Sequence, residues 1–130
     1  MIGNIKHVML VDDDEATNYF HNIIIDESGI TADVIIHEFA AEALEYLKSH
    51  VRPGIIFLDI NMPGMNGWDF MAEFEKLPAA QKDLLTVVIL TTSENPQDRI
   101  IAYDIPDIKQ FLIKPLSTKV VRDVVANYFG

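Results

Sequence analysis

Five short runs of β-branched and aliphatic residues, each divided from the next by an amphipathic stretch, restrict this chain to one kind of architecture. The runs are His7-Val8-Met9-Leu10-Val11, Val34-Ile35-Ile36, Ile55-Ile56-Phe57-Leu58, Val87-Val88-Ile89-Leu90 and Phe111-Leu112-Ile113. A strand covered by protein on both faces reads as a continuous apolar run instead of an alternating one, which points to a parallel sheet. The stretches between carry apolar residues at helical spacing. Asp14 is placed to cap a helix with Ala16, Phe20, Ile23 and Ile24 facing inward, and Gly29 to stop it. Ala40, Ala43, Leu44 and Leu47 line a second helix; Phe70, Met71 and Phe74 a third. Asn95 and Pro96 open a fourth, running to Tyr103, and Ser117 caps a fifth with Val120, Val121, Val124 and Val125 inward. Strands alternating with helices imply right-handed crossovers and helices on both faces, so the expectation is an α/β fold with five strands and five helices. Without repeats, linkers or low-complexity tracts, residues 1–130 are expected to form one domain with no output domain.

The polar residues fall where such a sheet keeps its chemistry. Asp12 and Asp13 follow the first run, Asp59 the third, Thr91 ends the fourth and Lys114 follows the fifth. Open α/β sheets bind ligands outside the carboxyl ends of their strands, where strand order reverses. With order 2-1-3-4-5, the first and third strands adjoin at that point and the three aspartates converge. Two carboxylates ~4 Å apart repel by about 4 kcal/mol at an effective dielectric near 20, so either a proton or a cation must sit among them. An all-oxygen donor set favours a hard divalent ion, and few carboxylates beside a phosphate suit Mg²⁺. An amine at Lys114 can meet a phosphate oxygen. Together these suit phosphoryl transfer, although spacing alone does not say which aspartate is the nucleophile.

Composition narrows the partners. With 20 Asp+Glu against 10 Lys+Arg, the net charge of −10 repels nucleic-acid phosphates and anionic lipid. No apolar run approaches the ~18 residues of a membrane span. The chain has no Cys, and the N-terminus reaches Asp12-Asp13-Asp14 before a signal-peptide core could develop. The expected location is the cytoplasm, with no direct nucleic-acid or membrane partner.

Four motifs then carry a resemblance over essentially the whole chain: Val-Asp-Asp at 11–13, Leu-Asp-Ile-Asn-Met-Pro-Gly-Met-Asn-Gly at 58–67, Ile-Leu-Thr-Thr at 89–92 and Phe-Leu-Ile-Lys-Pro at 111–115. In this order and on these strand ends they resemble the response-regulator receiver domains of bacterial two-component systems, including the single-domain chemotaxis type. The resemblance implies a flavodoxin-like three-layer sandwich with strand order 2-1-3-4-5. It implies that Asp59 accepts a phosphoryl group from a phosphohistidine, supplied by a sensor histidine kinase or a histidine phosphotransfer protein. Asp13 would bind Mg²⁺ directly, Asp12 more through water, and Asn61 through its backbone carbonyl. Thr91 resembles the switch hydroxyl and Phe111 the switch aromatic. Lys114 would pair with the phosphate, and the Lys114–Pro115 bond is expected cis. A downstream protein would dock on the fourth helix, fifth strand and fifth helix, with Ile100, Tyr103, Ile108 and Lys109 as candidate contacts.

Departures from the family pattern matter as well. Thr92 stands where a small Ala is usual, Phe111 lacks a hydroxyl, and Asp104-Ile105-Pro106-Asp107-Ile108 replaces the common Gly-Ala ending of the fourth helix. Asn61 and Ser93 occupy the two positions that the resemblance associates with phosphoryl lifetime. Taken singly, each of these residues has a plainer explanation: Asp14 a cap, Lys114 a surface lysine, Phe111 core, Met62, Met65 and Trp68 loop packing. His7, His21, His37 and His50 lack metal-ligand spacing and are expected to be structural or exposed. The competing functions are a receiver that acts by contact alone and a Mg²⁺-dependent phosphatase. The latter usually needs a second acid two residues after its nucleophile, where this chain has Asn61.

Overall fold

The computed structural model describes residues 5–129. In chain order its elements are β1 (His7–Val11), α1 (Glu15–Glu27), β2 (Asp33–His37), α2 (Ala40–Ser49), β3 (Gly54–Leu58), α3 (Gly67–Phe74), α4 (Ala79–Lys82), β4 (Leu85–Thr91), α5 (Pro96–Tyr103), β5 (Ile108–Ile113) and α6 (Thr118–Phe129). The strands pair in parallel in the order β2-β1-β3-β4-β5. This is the expected flavodoxin-like α/β sandwich.

Alternate residues of each strand feed two cores. Met9, Val11, Ile56, Leu58, Val87 and Ile89 pack with α2, α3 and Ala102 of α5. Val8, Leu10, Ile55, Phe57, Val88 and Leu90 pack on the other face with Ile25 of α1 and Val121, Val124 and Val125 of α6. Cover on both faces leaves every residue of β1, β3 and β4 buried, whereas the edge strand β2 is only half covered.

Two expectations need correction. Among the described residues there are six helices, not five. The additional α4 is a single turn, too short for apolar periodicity to reveal. Pro78 precedes it at the N-cap, and the Gln81 amide docks it on α2 by donating to the Leu47 carbonyl. The inward face of α1 is also different. Phe20 and Ile23 are 45% and 39% exposed, while Asn18, His21 and Ile25 are buried. Positions 18, 21 and 25 share one helical face, and both polar members are buried because each finds a hydrogen-bond partner. Asp14 does sit at the α1 N-cap, but its carboxylate takes the Thr17 hydroxyl and no backbone N–H.

Strand register sets the site. Val11 lies opposite Leu58, so Asp12 and Asp59 emerge side by side, and the Asp59 N–H donates to the Val11 carbonyl at 3.0 Å. Between β4 and β5 the ladder steps from Val87–Ile108 to Val88–Gln110, leaving Lys109 as an extra residue on β5. That step brings Ile113 opposite Thr91, and the Lys114 N–H then bonds the Thr91 carbonyl at 2.9 Å.

Candidate functional site

Asp12, Asp13, Asp59, Thr91 and Lys114 meet at the carboxyl end of the sheet. One carboxylate oxygen from each aspartate lies within 4.8 Å of the other two, an arrangement able to hold a metal ion. Asp12 and Asp59 are buried and Asp13 is exposed, so two charges are sheltered and the third faces the opening. The Lys114 ammonium bridges the sheltered pair, donating to Asp12 Oδ2 at 2.5 Å and to Asp59 Oδ2 at 3.4 Å. The Lys114–Pro115 peptide bond is cis.

The electrostatics follow from burial and neighbours. Burial pushes the Asp59 carboxyl above the usual aspartate range; Lys114 opposes that and the Asp12 charge reinforces it. The Asn61 backbone N–H at 3.3 Å and the Thr91 hydroxyl also favour the charged form. Burial lowers the Lys114 ammonium, but its hydrogen bond to Asp12 and the charges of Asp59 and Asp12 outweigh that and leave it raised. An ion pair so enclosed keeps Lys114 charged and aimed at the carboxylates.

Two supports escaped the sequence reading. Asn18 donates from Nδ2 to the Asp12 carbonyl at 2.8 Å, pinning the backbone from which Asp12 and Asp13 project. His21 Nε2 accepts the Leu116 N–H at 3.3 Å, tying α1 to the segment just past Lys114. Burial, then the Lys114 charge, lowers the His21 pKa and keeps the ring neutral as an acceptor. A polar pair three apart at the start of a helix, with Ile25 completing the face, was the only available signal. The four histidines divide as expected: His7 and His21 are buried, His37 is half-buried and His50 exposed.

Gly67 explains one position of the second motif. Its N–H donates to the Ile60 carbonyl at 3.1 Å, and a Cβ there would lie 2.7 Å from Ile60 Cα and 2.8 Å from the Asp59 carbonyl oxygen. A side chain would therefore push apart the loop that follows Asp59.

The sequence pattern of the response regulator receiver domain matches residues 8–126. The chain belongs to that family. Receiver domains are phosphoacceptor regulatory domains of two-component phosphorelays, phosphorylated by histidine kinases, and the same role follows for this receiver. Response regulator Rcp1 of Synechocystis sp. is 30% identical over 106 residues, covering 77% of this chain and 71% of that one. Response regulator Rre1 of the same organism is also 30% identical; the alignment takes in 92% of this receiver but only half of Rre1. Among solved structures, a response regulator receiver protein from Dyadobacter fermentans superposes with a TM-score of 0.87 at 25% identity, covering 95% of this chain and 97% of that one. An Mn(2+)-bound form of Rcp1 superposes at 0.73 with 29% identity, covering 94% and 90%. Among the described residues, no helix of this receiver is long and apolar enough to cross a membrane.

Proposed function

We propose that Asp59 is the phosphoacceptor of this receiver. The observation carrying this is the cluster itself: three carboxylates within 4.8 Å of one another, with the Lys114 ammonium 3.4 Å from Asp59. Of the two buried members, Asp59 is the one that lies beside the Thr91 hydroxyl and accepts the Asn61 N–H.

In the forward step an Asp59 carboxylate oxygen bonds to the phosphorus of a phosphohistidine. The P–N bond breaks, and the electron pair returns to the departing imidazole. In a separate dephosphorylation step a water oxygen bonds to phosphorus and the bond between phosphorus and the Asp59 carboxylate oxygen breaks, releasing phosphate with both water protons and restoring the carboxylate. The donor set fits a hard divalent cation, with Asp12, Asp13, Asp59 and the Asn61 backbone carbonyl as the residues to hold Mg²⁺. The Mn(2+) form of Rcp1 supports such a site. When bound, the ion supplies charge to the phosphoryl oxygens and relieves the repulsion among the carboxylates. Lys114 turns from Asp12 toward a phosphoryl oxygen, and Thr91 donates its hydroxyl to another.

Phe111 is the switch aromatic in this reading. It is half-buried against the core that includes Met9 and Ile89. Signal leaves by a protein target docking across α5, β5 and α6, where Ile100 and Tyr103 are 54% and 91% exposed and Lys109 is exposed beside half-buried Ile108. The donor is a sensor histidine kinase or a histidine phosphotransfer protein, met in the cytoplasm; the net charge of −10 argues against nucleic acid as the partner.

Incubation with acetyl phosphate and Mg²⁺ tests the assignment, with the label read by mass spectrometry. Wild type gains one phosphoryl group at Asp59, and Asp59→Asn gains none. Undiminished uptake by that variant would overturn the reading.

A further inference from the structure

Helix α1 and the edge strand β2 leave a groove between them that the phosphoryl chemistry does not use. Asp14, Glu15, Asn18 and Tyr19 line it at the start of α1, and Ile36 and Glu38 at the end of β2. Lys114 and Pro115 adjoin a different face of α1, through Phe20 and His21. The surface across α5, β5 and α6 is separate again.

One group in this groove is incompletely bonded. Asn18 is only 2% exposed, and half of its side-chain amide is committed: Nδ2 donates to the Asp12 carbonyl at 2.8 Å. That bond settles which atom is the oxygen. Oδ1 is buried and has no hydrogen-bond partner among the described residues. A buried acceptor without a donor is costly, and most are paired. His21, on the same helical face, spends its acceptor on the Leu116 N–H, whereas Asn18 Oδ1 is left for a donor entering the groove.

The surroundings say what kind of donor. Every charged group lining the groove is a carboxylate. Asp14 accepts the Thr17 hydroxyl, while Glu15 and Glu38 are exposed and form no ion pair among the described residues. An anion is repelled here, and a purely apolar group would leave Oδ1 unpaired. These acids are not gathered for a metal ion either; among the described residues only Asp12, Asp13 and Asp59 bring three carboxylates that close. Tyr19 is 70% exposed and Ile36 39%, so an aromatic ring and an aliphatic side chain complete the walls. A guanidinium satisfies all of this: its planar fork donates in several directions, and its face stacks on an aromatic ring.

We propose that the α1–β2 groove binds a basic segment of a partner protein, one arginine of which enters beside Tyr19 and donates to Asn18 Oδ1. Glu15 and Glu38 meet the remaining positive charge of the segment, and Ile36 meets its apolar side chains. The proposal does not depend on which aspartate accepts the phosphoryl group. Because Asn18 also holds the Asp12 carbonyl, an occupied groove touches the backbone that carries Asp12 and Asp13.

The test uses a fluorescein-labelled, capped peptide of alternating arginine and leucine, with binding read by anisotropy at about 0.15 M salt. Tyr19→Ala weakens binding about threefold, and the double variant Glu15→Gln/Glu38→Gln about tenfold. Glu75→Gln/Asp83→Asn removes the same charge outside the groove and leaves the affinity within about 1.5-fold. Citrulline in place of arginine, which keeps the shape and loses the charge, abolishes binding. In the ¹⁵N spectrum of the wild-type protein the Asn18 side-chain amide shifts as the peptide is added. Equal weakening by the two charge-removing pairs, or an unmoved Asn18 amide, would show diffuse attraction to an acidic protein and overturn the proposal. Spermidine displacing the peptide as effectively as unlabelled peptide does would also overturn it, by showing a site for free polyamines.

Discussion

The two ends of the sheet bury polar groups in opposite ways. At the carboxyl end, Asp12, Asp59, Thr91 and Lys114 are sheltered together and share charge-assisted hydrogen bonds. At the amino end, His7 is fully buried, and neither ring nitrogen has a hydrogen-bond partner. Its ring fills the space beside Gly54, where a Cβ would fall 2.3 Å from a ring carbon. Tyr46 lies 6.2 Å away, and its hydroxyl accepts a hydrogen bond from Arg52, which also pairs with Asp33. One end uses burial to concentrate charge, while the other uses a neutral ring as packing. Burial thus makes a group reactive only where it is accompanied by charged partners that can exchange contacts with a ligand.

Removing Lys114 breaks the first half of that contrast most severely. Lys114→Met takes away the amine expected to meet the phosphoryl charge, and acetyl phosphate uptake should fall about a hundredfold or more, as when one charge-stabilising donor is lost elsewhere. Single-turnover labelling measures it, and a loss below about tenfold would place Lys114 outside the reaction.

The amino end responds to pH instead. Burial, with the Arg52 charge, lowers the His7 pKa from 6.5 to about 4. The native state therefore holds His7 neutral while the unfolded chain protonates it. The resulting stabilisation is complete above pH 6.5 and is lost as pH falls toward 4, about 3 kcal/mol in all. His21 and His37, also lowered by burial, act in the same direction. Urea midpoints between pH 7.5 and 4.5 should fall less steeply in His7→Met than in wild type; parallel slopes would contradict the assignment.

Asn18 gives the smallest effect and joins helix to site. Asn18→Ala leaves the Asp12 carbonyl without its donor, and about 1 kcal/mol of stability should go with it, read from the urea midpoint. Uptake at Asp59 should change only a few-fold, because the carboxylates themselves remain.

The residues of the site were legible because each chemical group follows its strand directly: Asp12 after Val11, Asp59 after Leu58, Lys114 after Ile113. The α2 and α3 faces were legible for a similar reason, since apolar residues at 40, 43, 44 and 47 and at 70, 71 and 74 have no other way to be buried. The α1 face was not. Apolar patterning assumes that polar residues point outward, but Asn18 and His21 turn inward because a carbonyl and an N–H from other elements meet them there.

The alternation of apolar runs and helical stretches by itself determined the layered parallel fold, since continuous apolar strands demand cover on both faces. The chemistry at the strand ends was equally explicit. Only the tertiary structure decided the register, and with it which side chains touch. The extra residue at Lys109 steps β5 so that Lys114 lands beside Thr91 and within reach of both buried aspartates. Register depends on the pairing of strands distant in the chain, and no local pattern carries that information.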